Sequence, residues 1–454
     1  MLINAGSLFG TTTTTSVLGF AYWWLAARQF SPAAVGFASA AISAMTLLGT
    51  ACILGLGTLL VGELPRQQGK EVSLIGAALI LVGGVGGFFG IIFALVAPFV
   101  AIDFQPLRAT LQDIALFAAG VSLTAITIVL DQALVGLLRG ELQLWRNILF
   151  AVIKLAALLV VGLWLWQSVG MAIYATWTIG NVLSLAVLAG FALLKRGWPG
   201  RAYLPEWALL RKLGPMALQH HILNLILRVP TLTLPVLVTI LLSATMNAWF
   251  YVSLMIANFV YSVPVALTIV LYATNSTQTG ELAHKARLTL GLSAVTTVLA
   301  SLVLFVGTGQ VLGLFGHIYA GQAAWSLRIL ALGAFPLIIK DHYIAVCRIR
   351  SRLMRALLPL AIGCLLELGA AALGARLGGL SGLSLGWVVA LCIELVFMGP
   401  AVYKAVWPVD TSTGKDQPQP GTPHEEETPT SDVYAKDAGF GRWSFRGIKA
   451  IWDK

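Results

Sequence analysis

The side chains able to do chemistry are few in this chain, and most stand inside apolar segments. His220, His221, Asn224 and Arg228 follow one another through one such segment, with Pro230 and Pro235 just beyond. Asn224 lies four residues after His220 and four before Arg228, so a helix brings the three to one face. A cation, an amide and imidazoles on a helix that prolines allow to bend are suited to attracting an anion. The competing reading of Arg228 is a charge that snorkels to the interface or joins one structural pair. Lys154 is a second solitary cation, eight residues beyond Arg146, and Asp131 precedes Arg139 by the same interval. Eight residues are about 12 Å of helix, which sets Asp131 and Lys154 at one depth in adjacent segments, within reach of a structural pair.

Further along, Lys340, Asp341 and His342 make a charge cluster suited to a gate. Neighbouring side chains point about 100° apart on a helix, so Lys340 and Asp341 need not pair with each other. Glu367 and Glu394 lie deeper, and two readings stand for each: a protonatable coupling site, or an acid kept neutral by burial. Pro264, beside Ser262, interrupts another segment as a hinge or as a static kink. Thr11–Ser16 puts six hydroxyls in a row, Thr12 and Thr15 among them, which face a wet cavity or bond back to their own helix.

Several chemistries are excluded. No Gly-Lys-Ser/Thr loop is present for a nucleotide. Cys52, Cys347, Cys364 and Cys392 lack metal or redox spacing and read as small packing residues. The longest polar loop, Lys195–Lys212, holds only Glu206 among acids, too little for a membrane glycosyltransferase or polymerase. A net charge of +10 suggests nucleic acid at first sight, but the basic residues lie scattered between apolar segments. No enzyme activity, cofactor or metal is expected.

The elements that must position these side chains are membrane spans. With 58% hydrophobic and 11% charged residues and a mean hydropathy of +0.86, the chain cannot clothe itself for water. A span needs roughly 20 apolar residues. Such segments fall at about 4–27, 33–61, 72–99, 111–138, 148–167 and 169–194, then at 216–242, 247–273, 287–312, 323–347, 355–375 and 381–404. Met1–Phe9 has no basic start, so the first is read as a retained span. Alternate loops divide sharply in charge. One set carries Arg66, Lys70, Arg139, Arg146, the five basic residues of 195–212, Lys285, Arg287, Arg348, Arg350, Arg352 and Arg355; the other has Arg28, Arg108, Arg328 and Arg376. The positive-inside bias predicts a multi-pass protein of the cytoplasmic membrane with both termini inside.

The turn Leu138–Arg146 resembles Cys347–Arg355, each with basic residues seven apart and six spans between them. The fold class expected is therefore all-α, with about 12 transmembrane helices in two six-helix lobes related by a pseudo-two-fold axis along the membrane normal. The N-terminal lobe is 1–194, the cytoplasmic linker 195–212, the C-terminal lobe 213–407 and the cytoplasmic tail 408–454. The tail is rich in Thr, Pro, Gln and Glu and reads as disordered, except that 441–453 has the pattern of an interfacial helix.

The stretch Ala27–Gly36, where Arg closes the first span and Pro and Gly open the second, resembles the polysaccharide-transport family of flippases. That family lies within the multidrug/oligosaccharidyl-lipid/polysaccharide exporter superfamily. Gly55-Leu56-Gly57, Asn224 with Arg228–Pro230, Val263-Pro264, Leu312–Ala320 and Leu330–Arg352 are also similar to it. The resemblance covers roughly 1–405. It implies movement of a lipid-linked saccharide from the inner to the outer leaflet, through a cavity beside which Arg28 and Arg228 would stand with Asn224. No third cavity arginine is evident in the fifth span, where only Lys154 appears. On this reading His220, His221, Thr12 and Thr15 meet polar sugar groups, and the partners are the lipid-linked saccharide, membrane lipids and glycosyltransferases or a polymerase of the same pathway. A proton or sodium gradient is the coupling candidate, involving Lys340, Asp341, Glu367 and Glu394. The alternatives are a cation-coupled multidrug exporter of the same superfamily and a membrane scaffold in envelope polysaccharide assembly.

Overall fold

A computed structural model describes residues 2–67, 69–164, 170–196, 207–275, 282–350 and 352–407. The tail at 408–454, with its predicted interfacial helix, and the side chains of Thr12 and His220 lie outside the described residues. The chain runs through α1 (Leu2–Gln29), α2 (Pro32–Cys52), α3 (Leu56–Glu63), α4 (Glu71–Val100), α5 (Leu111–Gly136), α6 (Gly140–Trp164) and α7 (Gly170–Arg196). It continues through α8 (Trp207–Leu241), α9 (Ala244–Asn275), α10 (Leu282–Gly313), α11 (His317–Gln322), α12 (Ala324–Leu332), α13 (Ala334–Ile349) and α14 (Leu353–Val406). Ten helical stretches among the described residues are long and apolar enough to cross a membrane. The protein is an all-α, multi-span membrane protein.

Local chemistry starts these helices where the sequence changes character. Ser31 caps α2, its Oγ accepting from the Ala34 amide, and Pro32 occupies the first turn, where a missing donor costs nothing. Thr110 and Asp113 form a reciprocal capping box at the start of α5. The 54-residue α14 breaks at Gly378 and Gly379, the latter at φ +59°, a conformation that favours glycine. Its two arms fold back on each other. A Cβ on Gly374 would stand 2.1 Å from the Gly382 carbonyl oxygen, and one on Gly386 would stand 2.1 Å from that of Ala370. The break falls between the segments read at 355–375 and 381–404. By contrast, α8 begins at Trp207, inside the predicted linker.

Large apolar side chains fill the interior, Tyr22, Phe117, Phe250 and Trp387 among them, and others face outward as a lipid-solvated bundle allows, while small and hydroxylated ones line helix contacts. On α10, Leu288, Leu292, Val295, Leu299, Leu302 and Val306 are exposed, while Thr289, Ser293, Thr297, Ser301 and Thr308 are buried. The glycine face of α4 fits this rule as well. Gly83, Gly86 and Gly90 lie close against Ile126, Ser122 and Ala118 of α5, and Ser122 Oγ donates to the Gly83 carbonyl at 2.8 Å. Helix α2 is the most enclosed element, packed by α5 and α7 on one side and by α8 and α9 on the other.

One expected contact is overturned. Asp131 pairs with Arg146 rather than Lys154: Arg146 Nε and Nη2 donate to its two oxygens at 2.7 and 2.6 Å, and Asn147 Nδ2 adds a bond at 3.0 Å. The reason is the turn. Helix α6 begins at Gly140, directly after Leu137–Arg139, so this tight hairpin sets Arg146 level with Asp131 and carries Lys154 two turns further.

Candidate functional site

Helices α1, α2, α7, α8 and α9 enclose a cavity of about 480 Å³. Ser16, Phe20 and Trp23 line it from α1, Ser43 and Thr46 from α2, and Trp177 from α7. Thr231 comes from α8, and Tyr251, Asn258, Phe259 and Ser262 come from α9. The wall is aromatic, hydroxylic and amidic, and among the described residues no carboxylate and no basic side chain belongs to it. Pro264 follows just beyond Ser262, and Ser262 Oγ donates to the Phe259 carbonyl at 2.7 Å, so part of the bonding near the proline is supplied by a side chain.

At the end where α2 and α9 start, the helices close on one another. A Cβ on Gly36 would stand 1.6 Å from the Ala244 carbonyl oxygen, so only glycine allows this approach. Asn247 Nδ2 donates to the Gly36 carbonyl at 2.7 Å and lies 3.0 Å from Ser39 Oγ. Two helix ends are clasped from across the same face. Asp103 accepts the Ala244 amide at 2.8 Å, at the N-terminus of α9. Arg28 Nε donates to the Leu314 carbonyl at 2.7 Å and Trp24 Nε1 to the same oxygen at 2.9 Å, at the C-terminus of α10. An acid at a helix N-terminus and a base at a C-terminus each meet the favourable end of the dipole. Beside this seal a larger hollow of about 850 Å³ reaches Ser31, Phe37, Asp103 and Gly170.

Lys154 stands behind the cavity wall. Its Nζ lies 3.9 Å from the ring centre of Trp177, 4.8 Å from Phe150 and 5.1 Å from Tyr22. Only 5% of Lys154 is exposed, and among the described residues no carboxylate pairs with it. Aromatic faces offset part of the cost of burying the ammonium. Trp177 belongs both to this cage and to the cavity wall.

A different cluster joins α13 to both arms of α14. Lys340 Nζ donates to Glu367 Oε1 at 2.5 Å and stands 2.9 Å from Glu394 Oε2, while Trp387 Nε1 donates to Glu367 Oε2 at 2.6 Å. Among the described residues Lys340 pairs with these two acids and not with Asp341, and His342 is bonded instead to the Ile338 carbonyl and Thr289 Oγ1.

The predicted residues thus fall into separate places. Arg228 and Asn224 lie on α8 one and two turns before Thr231, on the face that continues to the cavity; Arg228 is exposed and Asn224 half-buried. His221 reaches the Ala51 carbonyl of α2 at 3.1 Å. Thr15 is half-buried next to the lining residue Ser16. Arg28 belongs to the seal. Sequence reasoning missed Asp103, Asn247, Trp177 and Trp387, whose roles arise only when helices pack; Asp103 and Asn247 act on helices 141 and 211 residues away. The signal that was available was Gly36 near a helix start, a position where a helix gains nothing from glycine unless something comes close.

No protein-family model matches the chain, and no curated protein matches it in sequence. Solved structures do match in fold. An inward-facing multidrug resistance MATE family transporter of the MOP superfamily superposes with a TM-score of 0.66 at 15% identity, covering 88% of this chain and 96% of that one. The lipid II flippase MurJ, in an inward closed conformation, gives 0.65 at 12% identity, covering 88% and 87%. A MOP superfamily transporter from Pyrococcus furiosus, described by a reverse polarity of its binding pocket, gives 0.53 at 13%, covering 88% and 94%. The chain therefore has the fold shared by MATE transporters and MurJ. Among the described residues no three His, Cys, Asp or Glu side chains gather as metal ligands do.

Proposed function

We propose that this protein is an alternating-access transporter that carries the headgroup of an anionic lipid-linked saccharide across the cytoplasmic membrane. The observation that carries the reading is the cavity between α1, α2, α7, α8 and α9, whose wall has hydroxyl, amide and aromatic groups but, among the described residues, no acid. Two basic side chains adjoin residues of that wall: Lys154, caged against Trp177, and Arg228, one turn before Thr231 on α8. A cavity with basic side chains near it and no carboxylate among its described lining residues suits phosphate and sugar, although its aromatic faces would also hold an organic cation.

The architecture we infer is twelve spans in two lobes, α1–α7 and α8–α14, with α1 counted as a span and α14 as two. Equal spacing supports it: α5 ends at Gly136 and α6 starts at Gly140, as α13 ends at Ile349 and α14 starts at Leu353. The basic loops place the seal at α2 and α9 on the outer side, with both termini inside. Rocking of the lobes would open this seal while the acyl chains stay in lipid. Glycosyltransferases or a polymerase of the same pathway would supply or consume the substrate.

A second reading, a cation-coupled multidrug exporter, is favoured by the likeness to MATE structures, which share the fold at 12–18% identity. The two are separated by reconstituting the full chain into vesicles. The flippase reading expects lipid-linked saccharide to become accessible in the opposite leaflet, with Arg228→Ala slower by about tenfold or more, the worth of one charge-assisted contact. Efflux of an organic cation without lipid exposure would establish the exporter instead.

A further inference from the structure

The Glu367–Lys340–Glu394 cluster carries information about ions that the cavity does not. We propose that Lys340 sets the ion selectivity of this acidic pair: its tethered ammonium stands where an inorganic monovalent cation would be held, so the cluster takes up a proton and excludes sodium. The two carboxylates come from opposite arms of the α14 hairpin and converge on one nitrogen, at 2.5 and 2.9 Å. Those are contact distances for charge-assisted pairs, which leaves no room for a metal ion between them. The site is built tightly around this arrangement. Glu367 is 2% and Glu394 5% exposed, Trp387 fixes the far oxygen of Glu367, and Gly363 leaves room for Glu394, where a Cβ would stand 2.5 Å from Oε1.

Two carboxylates and one ammonium leave one negative charge at membrane depth, which apolar surroundings penalise. Glu394 Oε1 is buried and receives no hydrogen bond. A proton there neutralises the cluster without displacing Lys340, whereas a sodium ion must displace the ammonium into buried protein. Among the described residues, Lys340 is the cation paired with these two carboxylates. Arg328 of α12 lies over Phe305 and Trp325, Arg287 of α10 donates to the Val406 carbonyl, and α9 has no charged residue. On α8, His221 is held by Ala51 and Arg228 is exposed; on α13, Asp341 adds only further negative charge. Protonation of Glu394 loosens the direct tie of the second arm to α13, while Trp387 of that arm stays bonded to Glu367 of the first arm and Glu367 to Lys340. Any bearing of this on transport rests on the function proposed above; the ion selectivity does not.

The test uses the purified full-length chain in detergent and reads thermal unfolding in sodium chloride against choline chloride at equal ionic strength. Wild-type protein is expected to show no sodium-specific shift. Lys340→Met is expected to gain a sodium-dependent rise of a few degrees that Lys340→Met/Glu394→Gln lacks, since the vacated place binds the ion and binding stabilises the fold. A sodium-specific shift in the wild type that Glu394→Gln removes would overturn the proposal, and so would a folded Lys340→Met protein indifferent to sodium. Should Lys340→Met not fold, radioactive sodium binding to wild type and Glu394→Gln decides in its place: equal background supports exclusion, and binding lost with Glu394 refutes it. None of these readouts involves the saccharide, so their failure is distinct from failure of the transport reading.

Discussion

The Lys154 amine is accompanied by three aromatic rings and, among the described residues, by no acid. A merely structural role would be served as well by an apolar chain, because replacing a buried ion by a hydrophobic side chain of similar volume is often neutral or stabilising. Lys154→Met is therefore expected to unfold at the same temperature as wild type or higher while its transport rate falls; melting curves and vesicle transport on one preparation check both. Asp131 and Arg146 should behave in the opposite way. Their bidentate pair is buried on the arginine side, so Asp131→Ala leaves an uncompensated charge and is expected to cost about 3–5 kcal/mol, with Asp131→Leu/Arg146→Met recovering most of it. Denaturation of the three proteins in detergent measures the difference. If Asp131→Ala melts with wild type, the pair is ornamental.

At the scale of elements, the seal is held by helix ends. Asp103 clasps the N-terminus of α9, Arg28 the C-terminus of α10, and Asn247 the Gly36 carbonyl of α2. Each such buried or charge-assisted bond is worth about 1–3 kcal/mol. Asp103→Asn with Arg28→Gln is expected to shift the population toward an open seal by about tenfold or more, read as faster labelling of a cysteine placed at Ser39. An unchanged labelling rate would show that the contacts do not hold the seal. The sequence makes these elements legible only in part. Apolar length marks the helices and separates 355–375 from 381–404, between which α14 breaks at Gly378 and Gly379. The clasping residues are not marked, because an aspartate in a loop and an asparagine in a span acquire their role from a helix more than a hundred residues away. The depth of Asp131 was misjudged for a related reason: depth depends on where a turn closes, and Leu138, at φ +57°, closes it earlier than the polar run suggests.

For the whole molecule, the cavity wall combines residues from helices on both sides of the α2–α9 contact, so its shape depends on how the two halves sit. On α8, Arg228 stands one turn before the lining residue Thr231 and is not itself part of the wall. The sequence could not show that Trp177 stands both at the cavity and at Lys154, nor that Lys340 would be enclosed by two acids from a folded-back helix. The claim that joins these features is that substrate passes only when the seal opens. In a background without Cys52, Cys347, Cys364 and Cys392, Ser39→Cys with Asn247→Cys places two thiols across the seal, at side chains now 3.0 Å apart. Vesicle transport of a lipid-linked saccharide by this protein is the direct measurement: the account predicts loss on oxidation and full return on reduction, and transport that continues with the disulfide formed would contradict it.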